Sequence, residues 1–100
     1  MTPDNVYNEQ EILKRLQHEL PAWRHADGRL RRVYKMADWN AAIELVNHIS
    51  PLAETMQHHP DIELGYGRVQ VSLQTHSAGG ITDKDFDLAN RIEQLFSSVP

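Results

Sequence analysis

The sequence predicts an α+β fold: a four-stranded antiparallel sheet with three helices on one face, in the order α-β-β-α-β-β-α. Apolar residues recur at three- and four-residue intervals in three separate segments, each headed by a helix-capping residue. Between these segments lie two pairs of short alternating runs, each pair interrupted by a glycine-containing turn. Strands with one apolar face need a helical layer on that face, and the opposite face is left to water or to a partner subunit.

In "NEQEILKRLQHELP", Asn8 caps the first helix and Glu11 completes a box of reciprocal hydrogen bonds; Ile12, Leu13, Leu16 and Leu20 form the apolar stripe, and Pro21 ends it. The run "AWRHADGRLRRVYKM" follows, with Asp27 and Gly28 suited to the two positive φ angles of a type I′ hairpin turn. Asp38 caps the second helix, whose stripe is Ala42, Leu45, Val46, Ile49, Leu52, Ala53 and Met56. Pro51 inside it removes a hydrogen bond at a cost of about 3 kcal/mol, so the sequence predicts a kink, or a restart capped by Ser50. In the second hairpin, Ile62, Leu64 and Tyr66 face Val69, Val71 and Leu73 across a turn placed at Gly67 and Arg68. Thr82 caps the third helix, with Phe86, Ala89, Ile92 and Phe96 as its stripe.

A chain of 100 residues closes one hydrophobic core, so residues 1–100 are read as a single domain. With no cysteine, thiolate zinc sites, disulfides and cysteine nucleophiles are excluded. The absence of a long apolar run and of a basic, apolar leader predicts a cytoplasmic protein with no membrane association. The net charge of −4 opposes the phosphate backbone, which argues against direct nucleic-acid binding.

Three of the six histidines, His58, His59 and His76, fall at one end of the second hairpin, because an antiparallel pair returns the chain to where it began. Three readings compete for them. A histidine at a helix C-terminus satisfies free carbonyls and complements the dipole. Three imidazoles suffice for catalytic zinc, although adjacent residues point in different directions and no HExxH pattern is present. Acid/base catalysis needs no metal, since an unperturbed imidazole titrates near neutral pH. His18, His25 and His48 show no such convergence and are read as structural.

The stretches "ETMQHHP" at 54 to 60, Tyr66, "TH" at 75 and 76, "GGITDKD" at 79 to 85 and "LA" at 88 and 89, with Trp23, Tyr34, Asp38 and Ala42, resemble the pterin-4a-carbinolamine dehydratase family over about residues 20 to 95. That resemblance implies dehydration of 4a-hydroxytetrahydrobiopterin, or a related pterin, to the quinonoid dihydropterin, in the recycling that serves aromatic amino acid hydroxylases. It implies no metal and no organic cofactor, and a homodimer or homotetramer. Animal members also act as dimerisation cofactors of a homeodomain transcription factor, so the competing expectation is an oligomerising, coactivator-like binding module with a vestigial pterin site.

Carried over by motif, His58, His59 and His76 surround the reacting edge of the pterin, and His58 to Pro60 with Thr75, His76, Ser77 and Ala78 bind it. His58 is assigned protonation of the leaving hydroxyl, His76 uptake of the N5 proton, and His59 a positioning role. Asp85 matches the family's later aspartate and orients an imidazole, yet it also stands three residues after Thr82, where a capping carboxylate belongs. Glu54 is either an i, i+4 partner of His58 or a site residue. Trp23 and Tyr66 are read as core or rim. The segment Ile62 to Gly65 lacks the aromatic residues frequent after the proline in animal members.

Overall fold

A computed structural model describes residues 5–98. Helix α1 (Glu9–Glu19), strands β1 (Arg24–Ala26) and β2 (Arg29–Lys35), helix α2 (Trp39–Met56), strands β3 (Asp61–Gly65) and β4 (Arg68–Leu73), and helix α3 (Asp83–Ser98) follow one another in the predicted order. A single 3-10 turn, His76–Ala78, stands between β4 and α3. The sheet is antiparallel throughout, in the order β1-β2-β4-β3.

Local hydrogen bonds set the helix starts. Asn8 and Glu11 form the reciprocal box, at 2.9 Å in both directions. The Asp38 carboxylate accepts from the Ala41 N–H at 2.8 Å. At α3, the Thr82 hydroxyl accepts from the Lys84 N–H while the Thr82 N–H donates to Asp85.

The helices pack on the sheet face that carries Leu30, Tyr34, Val69, Val71 and Leu73, all fully buried. Against these residues pack Ile12, Leu16 and Leu20 from the α1 end, Leu45 and Ile49 from α2, and Phe86, Leu88 and Ile92 from α3. Trp23 is core: it is buried, and its indole N–H donates to Glu93 at 2.8 Å. On the opposite face the Arg29 guanidinium pairs with Asp61, Arg31 with Ser72, and Gln70 with Glu63. Among the described residues no helix is long and apolar enough to cross a membrane.

Three local expectations are corrected. Leu13 is 52% exposed: it lies beside the stripe of Ile12, Leu16 and Leu20, which fills the interface alone. The second turn is centred on Tyr66 and Gly67, because Gly65 pairs with Arg68 and leaves these two between the strands. Gly67 therefore supplies its positive φ at the second central position, and Tyr66 is an exposed turn residue rather than a strand residue. Finally, α2 runs through Ser50 and Pro51 as one helix, which rules out the alternative of a restart capped by Ser50.

Candidate active site

The second helix ends in a way that aims His58 inward. Gln57 takes the left-handed conformation (φ 51°); its N–H bonds the Glu54 carbonyl at 3.2 Å, and the His58 N–H bonds the Ala53 carbonyl at 3.1 Å. These two bonds make a Schellman closure at a non-glycine residue, a conformation that costs roughly 1–2 kcal/mol relative to ordinary backbone. Immediately afterwards Pro60 prevents any return to helix, and β3 begins.

His58 and His59 consequently diverge. The His58 ring is 10% exposed, and its Nε2 lies 2.6 Å from Oδ1 of Asp85, whose side chain is completely buried. The His59 ring is 57% exposed, and its Nε2 lies 2.6 Å from Glu54. Glu54 thus partners His59 and not, as its spacing also allowed, His58. His59, Glu54, Pro60, Ala53 and Ile62 line a groove of about 350 Å³ beside α2.

Asp85 holds the site to the protein. Its Oδ2 accepts from the Thr75 hydroxyl at 2.8 Å and from the Thr82 N–H at 2.9 Å. The Thr75 proton is committed to Asp85, so the 2.8 Å contact between the two threonine hydroxyls has Thr82 as donor. With Oδ2 receiving two donors, the carboxylate is an acceptor on that side. An ionised carboxylate has only acceptors to offer, so with Asp85 in that form His58 donates to Oδ1 from Nε2, a charge-assisted bond. Both contacts are present at Asp85: one carboxylate oxygen caps α3 and the other meets the His58 imidazole.

His76 is reached through the same network. Thr75 precedes it and is buried, its hydroxyl wholly engaged with Asp85 and Thr82, so its side chain acts on the site through Asp85. The backbone of Thr75 closes the following loop: its N–H donates to the Gly80 carbonyl at 2.9 Å, and its carbonyl accepts from Ala78 and Gly79. His76 and Ser77 stand exposed on that closed loop, with Ala78 half-buried, and His76 Nε2 lies 3.4 Å from the Gln74 amide. Two hydrogen bonds, through Asp85, therefore connect the His58 ring to the residue before His76.

Sequence reasoning missed Thr82 as a site residue, since its only local signal was that of a cap. A threonine three residues before a motif aspartate was the clue available. Among the described residues, no three His, Asp or Glu side chains are grouped so as to hold a metal ion.

Comparison with known proteins identifies the family. The family profile described as "Pterin 4 alpha carbinolamine dehydratase" matches residues 5–95. The chain belongs to the pterin-4a-carbinolamine dehydratase family. A protein of Sulfolobus acidocaldarius, provisionally named pterin-4-alpha-carbinolamine dehydratase, is 40% identical over 88 residues, covering 88% of this chain and 96% of the relative. One from Picosynechococcus with the same provisional name is 46% identical over 77 residues, covering 77% and 84%. Among solved structures, the transcriptional coactivator/pterin dehydratase of Brucella melitensis superposes with a TM-score of 0.84 at 29% identity, covering 91% of this chain and 98% of that one. A pterin dehydratase-like RuBisCO assembly factor of the α-carboxysome shares the fold alone, with a TM-score of 0.65 at 20% identity over 82% of this chain and 98% of that one.

Proposed function

We propose that this chain dehydrates a 4a-hydroxytetrahydropterin to the quinonoid dihydropterin by histidine acid/base catalysis. The observation that carries the reading is the buried Asp85 carboxylate, saturated on one oxygen and holding His58 Nε2 at 2.6 Å on the other. A carboxylate held in this way orients an imidazole and fixes which nitrogen carries the proton. With Nε2 committed to Asp85, Nδ1 is the atom left to exchange a proton with substrate.

Dehydration breaks the C4a–O bond and the N5–H bond and forms C4a=N5. His58, entering protonated, gives the Nδ1 proton to the 4a-hydroxyl, which leaves as water. The neutral ring that remains is the Nε2–H tautomer, the form from which Asp85 accepts. His76, exposed on its loop, takes the N5 proton as the N5 lone pair forms the new double bond. His59, supported by Glu54, orients the substrate from the groove side, and solvent exchange resets the two rings. Positioned proton transfer of this kind contributes typically 10²- to 10⁴-fold.

The family and the names of its relatives support a pterin as substrate. We place the reaction in tetrahydropterin recycling for an aromatic amino acid hydroxylase, in the cytoplasm and in a homodimer or homotetramer, without a metal or organic cofactor. The test is the ultraviolet decay of the 4a-carbinolamine with wild type, His58→Ala and His76→Ala. Both variants are expected to lose most of the acceleration, and a chelator to leave wild type unchanged. A wild-type rate equal to buffer would replace this reading with the coactivator-like binding module.

A further inference from the structure

The loop that carries His76 is fastened on two sides. From within, Thr75, Thr82 and Asp85 hold its ends. From without, the segment preceding α1 lies across it. The Tyr7 N–H donates to the Ile81 carbonyl at 2.9 Å, and the Tyr7 hydroxyl donates to Asp83, the first residue of α3. Arg15 on α1 completes the fastening, with one nitrogen 2.8 Å from the Tyr7 hydroxyl and 2.8 Å from Asp83. Its guanidinium also lies over the Phe86 ring at 4.3 Å, and Tyr7 meets Phe86 edge to face at 5.4 Å. One residue earlier, Val6 rests on Gly80 so closely that a Cβ on that glycine would stand 2.6 Å from a Val6 methyl.

We propose that Val6 and Tyr7 form a strap that sets the position of the His76 loop, which makes them positioning residues for the proton transfer assigned to His76. The proposal rests on the dehydratase reading for its catalytic consequence and on geometry alone for the strap. Gly80 bridges to Thr75, so His76, Ser77 and Ala78 span a loop whose closing pair lies directly under Val6. Gly80 does not have a positive φ, so alanine fits its backbone and meets only the strap. Lifting Val6 from Gly80 therefore moves one end of the loop while Asp85, held by Thr75 and Thr82, stays with His58. Proton transfer is steep in distance, and a displacement of about 1 Å lowers rates by up to roughly 10²-fold.

Three proteins test this: Gly80→Ala, Val6→Ala, and the two substitutions together. Gly80→Ala is expected to lower kcat about tenfold, with KM changed less, and to shift the His76 ring resonances while the His58 resonances stay in place. Val6→Ala, which keeps the Tyr7 anchor but withdraws the methyls from Gly80, should lower kcat by about threefold, and the double variant should recover kcat and the His76 resonances to that level because the smaller side chain makes room. Relief of the clash restores stability as well as position, so kcat is compared at a temperature where thermal midpoints show Gly80→Ala to be fully folded, and the His76 resonances report the displacement directly. Wild-type kcat and ring shifts in Gly80→Ala, or a double variant as impaired as Gly80→Ala, would overturn the strap. If wild type fails to accelerate dehydration, the catalytic reading falls by itself, and the strap is still judged by the His76 resonances.

Discussion

Replacing Asp85 by asparagine removes a charge while conserving shape, and the hydrogen-bond pattern dictates the result. Two donors converge on Oδ2, and one of them, the Thr82 N–H, is fixed by the start of α3. The asparagine oxygen must occupy that side, so its amide points at His58 Nε2, 2.6 Å away in the native protein. An amide donor there forces Nε2 to accept, and the His58 proton moves to Nδ1. The exchange weakens a buried charge-assisted bond worth roughly 1.5–3 kcal/mol, part of which the new amide restores, for a net loss of about 1–2 kcal/mol. For a domain of this size that lowers the melting midpoint by about 4–16 °C. A neutral Nδ1–H tautomer still presents a proton, but donating it would leave an imidazolate anion, so this ring is a far weaker acid than the imidazolium that a carboxylate at Nε2 supports. The rate is therefore expected to fall by about 10²-fold or more, within the range that acid/base catalysis supplies. Carbinolamine decay measures the rate, and imidazole nitrogen shifts report the tautomer independently. Asp85→Asn with His58 still protonated on Nε2 and a wild-type rate would refute both the donor assignment and the role of the carboxylate.

Other perturbations have distinct signatures. His58→Ala strands one oxygen of a fully buried carboxylate and should cost about 2–3 kcal/mol in urea denaturation. His59→Ala breaks a pair exposed on both sides and should cost less than about 1 kcal/mol in the same assay. The Tyr7 hydroxyl and then Arg15 hold the Asp83 carboxyl below its ordinary value of 3.8, so the contribution of Asp83 to stability is present above that value and is lost as pH falls below it. Arg15→Gln should flatten that acid limb of the melting midpoint, a shallow one because Asp83 is 72% exposed. Gly67→Ala should destabilise by about 1–2 kcal/mol, from a φ of +70° and a Cβ 3.3 Å from the Met36 carbonyl, and leave the rate per folded molecule unchanged.

The elements whose causes are local were legible in advance. Asn8 with Glu11, Asp38 with Ala41, and Thr82 with Asp85 each close within three residues, a distance that sequence pattern reads directly. The second turn was misplaced because a glycine with positive φ serves at either central position. The choice was made by the pairing of Gly65 with Arg68 and of β4 with β2, which is a property of the whole sheet. Leu13 adjoins the helical stripe in sequence, and only the width of the packed interface separates it from Ile12. For the site, the hairpin placed the histidine positions at one end and adjacency implied different directions for His58 and His59, but not which of them turns inward, which follows from the left-handed Gln57 and the start of β3 at Asp61. The hydroxyl relay from Thr82 through Thr75 to Asp85 joins the loop after β4 to the start of α3, and of it the sequence carried only the spacing of Thr82 and Asp85, not the part of Thr75.

That relay explains why one aspartate serves both as cap and as imidazole holder. A carboxylate buried to hold a histidine must have its second oxygen satisfied, because an unpaired buried charge is strongly destabilising. The N-terminus of a helix supplies fixed N–H donors and a favourable dipole at no further desolvation cost. Asp85 uses one of these, from Thr82, and Thr75 adds a hydroxyl from the loop that follows β4. Stabilising α3 and fixing the His58 tautomer are consequently the same set of contacts. Thr75→Val keeps shape and removes one donor to Oδ2. It is expected to destabilise by about 1–2 kcal/mol and to weaken the hold on His58 without touching any histidine. Tight coupling predicts that the Thr75→Val loss in midpoint and the His58 ring shift appear together. A normal His58 environment in a destabilised Thr75→Val protein would separate the cap from the catalytic pair.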